Sequence, residues 1–167
     1  MYADFFNQKI FISMSLFDSF LQGHKLAEIL IEGHNPDARL KLTTPDVDAL
    51  RQHMTTGEAL RAYVTGRIVG SGPGVWVVTE RQVLMRDAVK QMVIRLHASD
   101  VAHVETLRGR YGHTVRLSAH GAHYSMFGVD VALAREMHQA FQALGVSSAF
   151  EDKPPSTGIG KFTPVLT

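Results

Sequence analysis

From position 58 onward the apolar residues recur every second position. Leu60, Ala62, Val64, Gly66 and Ile68 alternate with Arg61, Tyr63, Thr65 and Arg67, as in a half-buried strand whose side chains point to opposite faces in turn. Val75 to Val78 is a β-branched and aromatic run, strongly strand-forming. Gln82 to Arg86 makes the return strand of a hairpin around Thr79, Glu80 and Arg81. Met92, Ile94 and Leu96 alternate with Val93, Arg95 and His97; residues 101–108 follow less regularly. Val115, Leu117 and Ala119 then alternate with Thr114, Arg116, Ser118 and His120, and residues 122–127 form the last strand. Glycine-bearing turns at Gly70-Ser71-Gly72-Pro73, 109–112 and Gly121 separate them. Seven strands at such even spacing, in about seventy residues, predict an antiparallel sandwich or barrel, since a curved sheet must hide its edges or close.

Helical periodicity flanks this region. After it, Asp130 is an N-cap, Leu133, Ala134, Met137, Phe141 and Leu144 form an apolar stripe at spacings of three and four, and Gly145 ends the helix. Before it, Thr44-Pro45-Asp46 starts a short helix carrying Val47, Leu50, Arg51 and Met54, with Gly57 beyond. Further upstream, Ser15 and Asp18 start a helical pattern running through Leu16, Phe17, Phe20, Leu21, Ala27, Leu30 and Ile31, and Gly33-His34-Asn35-Pro36 stops it. The expected organisation is an N-terminal helical arm over 1–43, a barrel domain over 44–145 and an extended tail over 146–167. Residues 38–42 alternate, and the stretch is expected either to lie extended along the barrel on a sheet edge left open where strands diverge, with Leu40 and Leu42 or their neighbours packed inward, or to be a solvated linker. A second extended stretch over 163–166 contains Pro164, which only an edge tolerates.

Composition narrows the function classes. Apolar residues make up 45% of 167 residues and charged residues 20%, an ordinary globular profile. A net charge of +1 gives no electrostatic footprint for nucleic acid. With no cysteine, disulfides, thiolate metal sites and a thiol nucleophile are excluded. Asp4, Lys9 and Asp18 interrupt the apolar N-terminus, which does not read as a secretory signal, and no run of 18 apolar residues exists. A cytoplasmic location is expected.

The order of seven strands and then one amphipathic helix, with Gly57-Glu58, Val78-Thr79-Glu80-Arg81 and Ser99-Asp100-Val101 at their places along it, resembles a bacterial pleckstrin-homology-like (PH-like) domain of the YokE-like kind over roughly residues 45–145. The resemblance implies a mostly β, α+β fold: a seven-stranded PH-like barrel capped by the C-terminal helix. The chain departs from the pattern at Gln82, often a second arginine. PH domains that bind phosphoinositides carry basic residues around the first hairpin, whereas the first turn here, Gly70-Ser71-Gly72-Pro73, has no lysine and only Arg67 nearby.

Candidate chemistry is sparse. Glycine-rich 70–74 joins strand to strand, whereas a dinucleotide fingerprint leads into a helix. No nucleophile with its base and no paired carboxylates stand out, so neither catalytic residues nor a cofactor are assigned. His120 and His123 flank a turn, with His113 nearby in sequence, but zinc needs three or four converging ligands; the pair reads as exposed turn histidines, and no metal site is expected. Five of nine phenylalanines, Phe5, Phe6, Phe11, Phe17 and Phe20, fall in the first 22 residues. That arm is more apolar than one helix on a small barrel requires, which points to an interface with a protein partner or a second copy. A membrane-surface helix fits less well, because Asp4, Asp18, Glu28 and Glu32 outnumber Lys9 and Lys25. The expectation is therefore a non-enzymatic interaction module that self-associates. The alternative is binding of an anionic headgroup by a small basic patch of Arg81, Arg86 and Lys90.

Overall fold

In a computed structural model, the structure describes residues 34–35 and 40–153; the helical arm, its five phenylalanines and the 163–166 stretch lie outside the described residues. In chain order the elements are β1 (His34–Asn35), β2 (Leu40–Lys41), α1 (Thr44–Gln52), β3 (Leu60–Ile68), β4 (Pro73–Thr79), β5 (Gln82–Asp87), β6 (Met92–His97), a 3₁₀ turn (Ala98–Asp100), β7 (Val101–Gly109), β8 (Gly112–Ala119), β9 (Ala122–Val129), α2 (Val131–Ala143) and β10 (Ser148–Phe150). β1 and β2 pair with each other. The other eight strands form one mixed sheet in the order β10-β7-β8-β9-β3-β4-β5-β6.

The seven expected strands are β3 to β9, but they do not close into a seven-stranded barrel. Closure would need β6 to bond β7, and the outer edge of β7 is taken instead by β10, parallel to it from Ser148↔Val104 to Phe150↔Thr106. The sheet is open and has an eighth strand that sequence periodicity did not reveal. An edge does recruit an extra segment, as expected, but the segment is 148–150; Leu40–Lys41 pairs with His34–Asn35.

Continuity through the middle rests on a narrow junction. β3 pairs with β9 at Arg67↔Phe127 and Ile68↔Met126, and just past β3 the Val69 N–H donates to the Ser125 carbonyl at 3.2 Å. Gly66 permits the approach, because a Cβ there would lie 2.6 Å from the Phe127 carbonyl oxygen and 2.8 Å from Met126 Cγ.

The two faces of β3–β5 are covered by different helices. Register places Val64, Trp76, Met85 and Ile94 in one row across β3, β4, β5 and β6. Val64, Trp76 and Met85 enter the larger core, and Ile94 packs against it, together with Ala134, Met137, Ala140 and Phe141 of α2. On the opposite face Tyr63, Val75, Val77 and Leu84 pack with Leu42, Val47, Leu50 and Leu60, beneath α1. Burial on both sides is why residues 75–78 read as a continuous apolar run and not as an alternation. Leu42 packs inward, as in the docked alternative for 38–42.

Capping fixes both helices. In α1 the cap is Thr43, one residue earlier than the sequence suggested, and the Asp46 carboxylate accepts from its backbone N–H at 2.9 Å and its hydroxyl at 3.0 Å. In α2 the Asp130 carboxylate accepts from Ala132 N–H at 2.8 Å. At the other end Gly145, at φ +74°, lets its own N–H reach the Gln142 carbonyl and that of Val146 reach the Phe141 carbonyl, the Schellman arrangement.

Candidate functional site

The row beside Val64–Trp76–Met85–Ile94 on the same face is Gly66, Gly74, Asp87 and Met92. Its two glycines present no side chains, and Ile68 folds over Gly74: a Cβ at that position would lie 2.4 Å from Ile68 Cδ1. The result is a cavity of about 280 Å³ at the end of the sheet where β6 and the start of β9 face each other. Trp76, Met85, Ile68 and Ile94 give it an apolar lining, and Tyr124 of β9 forms a further wall. Two lining residues, Val69 and Met92, are 61% and 44% exposed, and Val89 beside them is 62% exposed. The floor is apolar, and the lip mixes apolar Val69 and Met92 with Asp87, Lys90, His123 and Ser125, so the cavity can seat an apolar group beneath a partly polar rim.

Asp87 holds the lip in shape. Its Oδ1 accepts from the Ser71 hydroxyl at 2.9 Å, Val89 N–H at 3.0 Å and Lys90 N–H at 2.9 Å. The β3–β4 and β5–β6 turns are thereby tied to one carboxylate. Burial pushes the Asp87 carboxyl up, but the hydrogen bonds and the nearby Lys90 charge outweigh it and leave the group below its ordinary value.

At the other end of β5, Thr79, the first residue of the expected hairpin turn, is fully buried. Its hydroxyl oxygen accepts from the N–H groups of Arg81 and Gln82, at 3.2 and 3.1 Å, and its O–H donates to Glu58. Glu58 also receives the Gln82 amide at 2.9 Å on each oxygen and the N–H and hydroxyl of Thr55 at 2.9 and 3.0 Å. Burial raises the Glu58 carboxyl; the donors, led by Thr79, outweigh burial and bring it below its ordinary value. The Gly57-Glu58 and Thr79-Glu80-Arg81 motifs are thus two halves of one staple. Gln82 supplies a neutral donor to that staple.

The three residues of the expected basic patch do not converge. Arg86 alternates onto the face under α1, where its Nε donates to Asp46 Oδ1 at 3.0 Å, with side chains 9% and 6% exposed. Arg81 is exposed in the β4–β5 turn, and Lys90 in the β5–β6 turn lines the cavity. A strand rises about 3.3 Å per residue, so the length of β5 separates these two. The histidines disperse as well: His120 Nε2 lies 3.3 Å from Asp100 Oδ2, His123 Nδ1 lies 2.9 Å from Ser118 Oγ, and His113 is buried. Among the described residues no group of three His, Cys, Asp or Glu could hold a metal ion, and no helix is long and apolar enough to cross a membrane. The cavity itself was not foreseen. Its one signal in the sequence is the same-face row of Gly66 and Gly74 beside Val64 and Trp76, which becomes legible only once register is known.

No protein-family model matches the chain, and no curated protein matches it. Among solved structures it is similar to the hSac2 domain from human phosphoinositide phosphatase Sac2, with 12% identity, 66% of this chain and 86% of that chain covered, and a TM-score of 0.41. A likeness of that size carries no argument about activity.

Proposed function

We propose that the chain is a non-enzymatic, PH-like interaction module of the cytoplasm that self-associates, its open mouth receiving an apolar side chain from the phenylalanine-rich segment 1–33 of a second copy. The observation that carries this reading is the cavity floored by Trp76 and Met85 and lipped by exposed Val69 and Met92. Small-molecule pockets run from roughly 300 to 1,000 Å³, so a volume of about 280 Å³ suits a large side chain better than an extended ligand. The chain carries a supply of such groups in Phe5, Phe6, Phe11, Phe17 and Phe20.

Trp76 is the only tryptophan, so its emission reports on the mouth alone. Sedimentation of the full chain over a concentration series is expected to show a dimer or higher species, with Trp76 emission changing in parallel. Met92→Glu, which puts a charge on the lip, and replacement of the five phenylalanines by serine are each expected to return the monomer. A monomer at every concentration, or self-association that both variants leave intact, overturns the reading.

A further inference from the structure

A second concavity, of about 510 Å³, lies where the β7–β8 turn meets the start of α2. It is lined by Arg108 and Arg110, by His113, and by Asp130, Arg135 and Asp152. Three guanidinium groups and an imidazole here face two carboxylates, and Asp130 is already engaged as the cap of α2. The amino end of a 13-residue helix adds partial positive charge.

His113 is the decisive group. Register sets it between Arg108 on β7 and Val129 on β9. Its side chain is 5% exposed, and its ring stacks on Phe150 with centroids 5.5 Å apart. Among the described residues neither ring nitrogen has a hydrogen-bond partner. Buried polar atoms are nearly always paired, and an exception calls for a reason. The nearest charge is instructive. Asp152 Oδ1 stands 3.7 Å from His113 Nε2, too far for a hydrogen bond, while its Oδ2 lies 3.3 Å from Arg135, and Arg108 donates to its main-chain carbonyl at 3.0 Å. An oxyanion of the chain itself thus sits at the edge of the notch without satisfying the imidazole.

We propose that this notch is a phosphate-binding site, formed by His113, Arg108, Arg110 and Arg135 at the start of α2, and that the Asp152 carboxylate is its built-in competitor. A phosphate group offers more acceptor oxygens than a carboxylate, enough to meet the guanidinium donors and His113 together. Free phosphate and a phosphate on a lipid headgroup present this same chemistry. The site is independent of the apolar mouth and of self-association.

The test uses the full chain and inorganic phosphate, following the imidazole resonances of His113 by NMR; the His113→Phe variant, which keeps the ring stack, assigns them. Phosphate is expected to shift the His113 signals. Asp152→Asn is expected to tighten binding roughly tenfold, the size of one charge-assisted contact removed from competition, and His113→Phe is expected to weaken it by a similar factor. Pelleting with phosphatidylcholine vesicles containing phosphatidate, and not with phosphatidylcholine alone, assigns the phosphate to a lipid; no pelleting assigns it to a soluble compound. His113 signals unmoved by phosphate in both wild type and Asp152→Asn overturn the proposal, as does binding that His113→Phe leaves unchanged.

Discussion

Arg86 Nε and Asp46 Oδ1 are 3.0 Å apart across the contact of α1 with β5, both side chains nearly excluded from water. Asp46 simultaneously caps α1 through its other oxygen, which holds the N–H and hydroxyl of Thr43. One carboxylate therefore fixes where the helix begins and where it sits. Asp46→Ala leaves a buried guanidinium without its partner and is expected to cost roughly 3–5 kcal/mol, most of it recovered by adding Arg86→Met. Urea unfolding of the two variants checks this; Asp46→Ala within about 0.5 kcal/mol of wild type, the range of an ordinary surface change, removes the pair from the account.

Glu58 gives the fold a defined acid limb. Its folded-state carboxyl lies below the ordinary value of 4.5, so near pH 4 the unfolded chain binds the proton more readily. The stabilisation is fully present above pH 4.5 and is lost as pH falls through the lowered folded value. Glu58→Gln is expected to be less stable at neutral pH and to show a shallower loss of stability as pH falls below 4.5. Thermal unfolding at several pH values tests it, and parallel curves for the two proteins would contradict it.

The junction of β3 with β9 depends on Gly66. An added methyl would press on the Phe127 carbonyl and the Met126 side chain, and overpacking of this kind costs roughly 1–3 kcal/mol. Gly66→Ala is expected to lower the unfolding midpoint and to speed amide exchange at Arg67 and Ile68 ahead of the β4–β5 hairpin. Uniform exchange rates across the two regions would show that the junction is not the weak point.

His138 sets a second pH dependence. Burial lowers its basicity below the ordinary 6.5, and its ring lies 5.5 Å from Phe150 of β10. Because the unfolded chain takes up the proton first, this contribution is intact above pH 6.5 and declines as pH falls below it toward the folded value. His138→Phe is expected to flatten the stability profile just below pH 6.5. A slope identical to wild type there would assign the dependence to other groups.

Residues 60 to 129 reveal their strands without help, because alternation, β-branched runs and glycine turns are local properties. The same holds for α2, whose stripe, Asp130 cap and Gly145 terminus all lie within one short segment. Long-range pairing decided the rest. β10 is three residues with no period to read, and it became a strand because the outer edge of β7 was there to receive it. That pairing also replaced closure with an open sheet. Arg81, Arg86 and Lys90 looked alike as charges along one stretch; only the alternation of β5, together with α1 covering one face, turned Arg86 into a buried partner of Asp46. Trp76 and Met85 in one row with Ile94, and His113 between Arg108 and Val129, are likewise products of register across strands far apart in the chain. Sequence determines which residues can form a strand and which side each takes; the partner across the sheet, and so the mouth and the basic notch, exists only once the strands are paired.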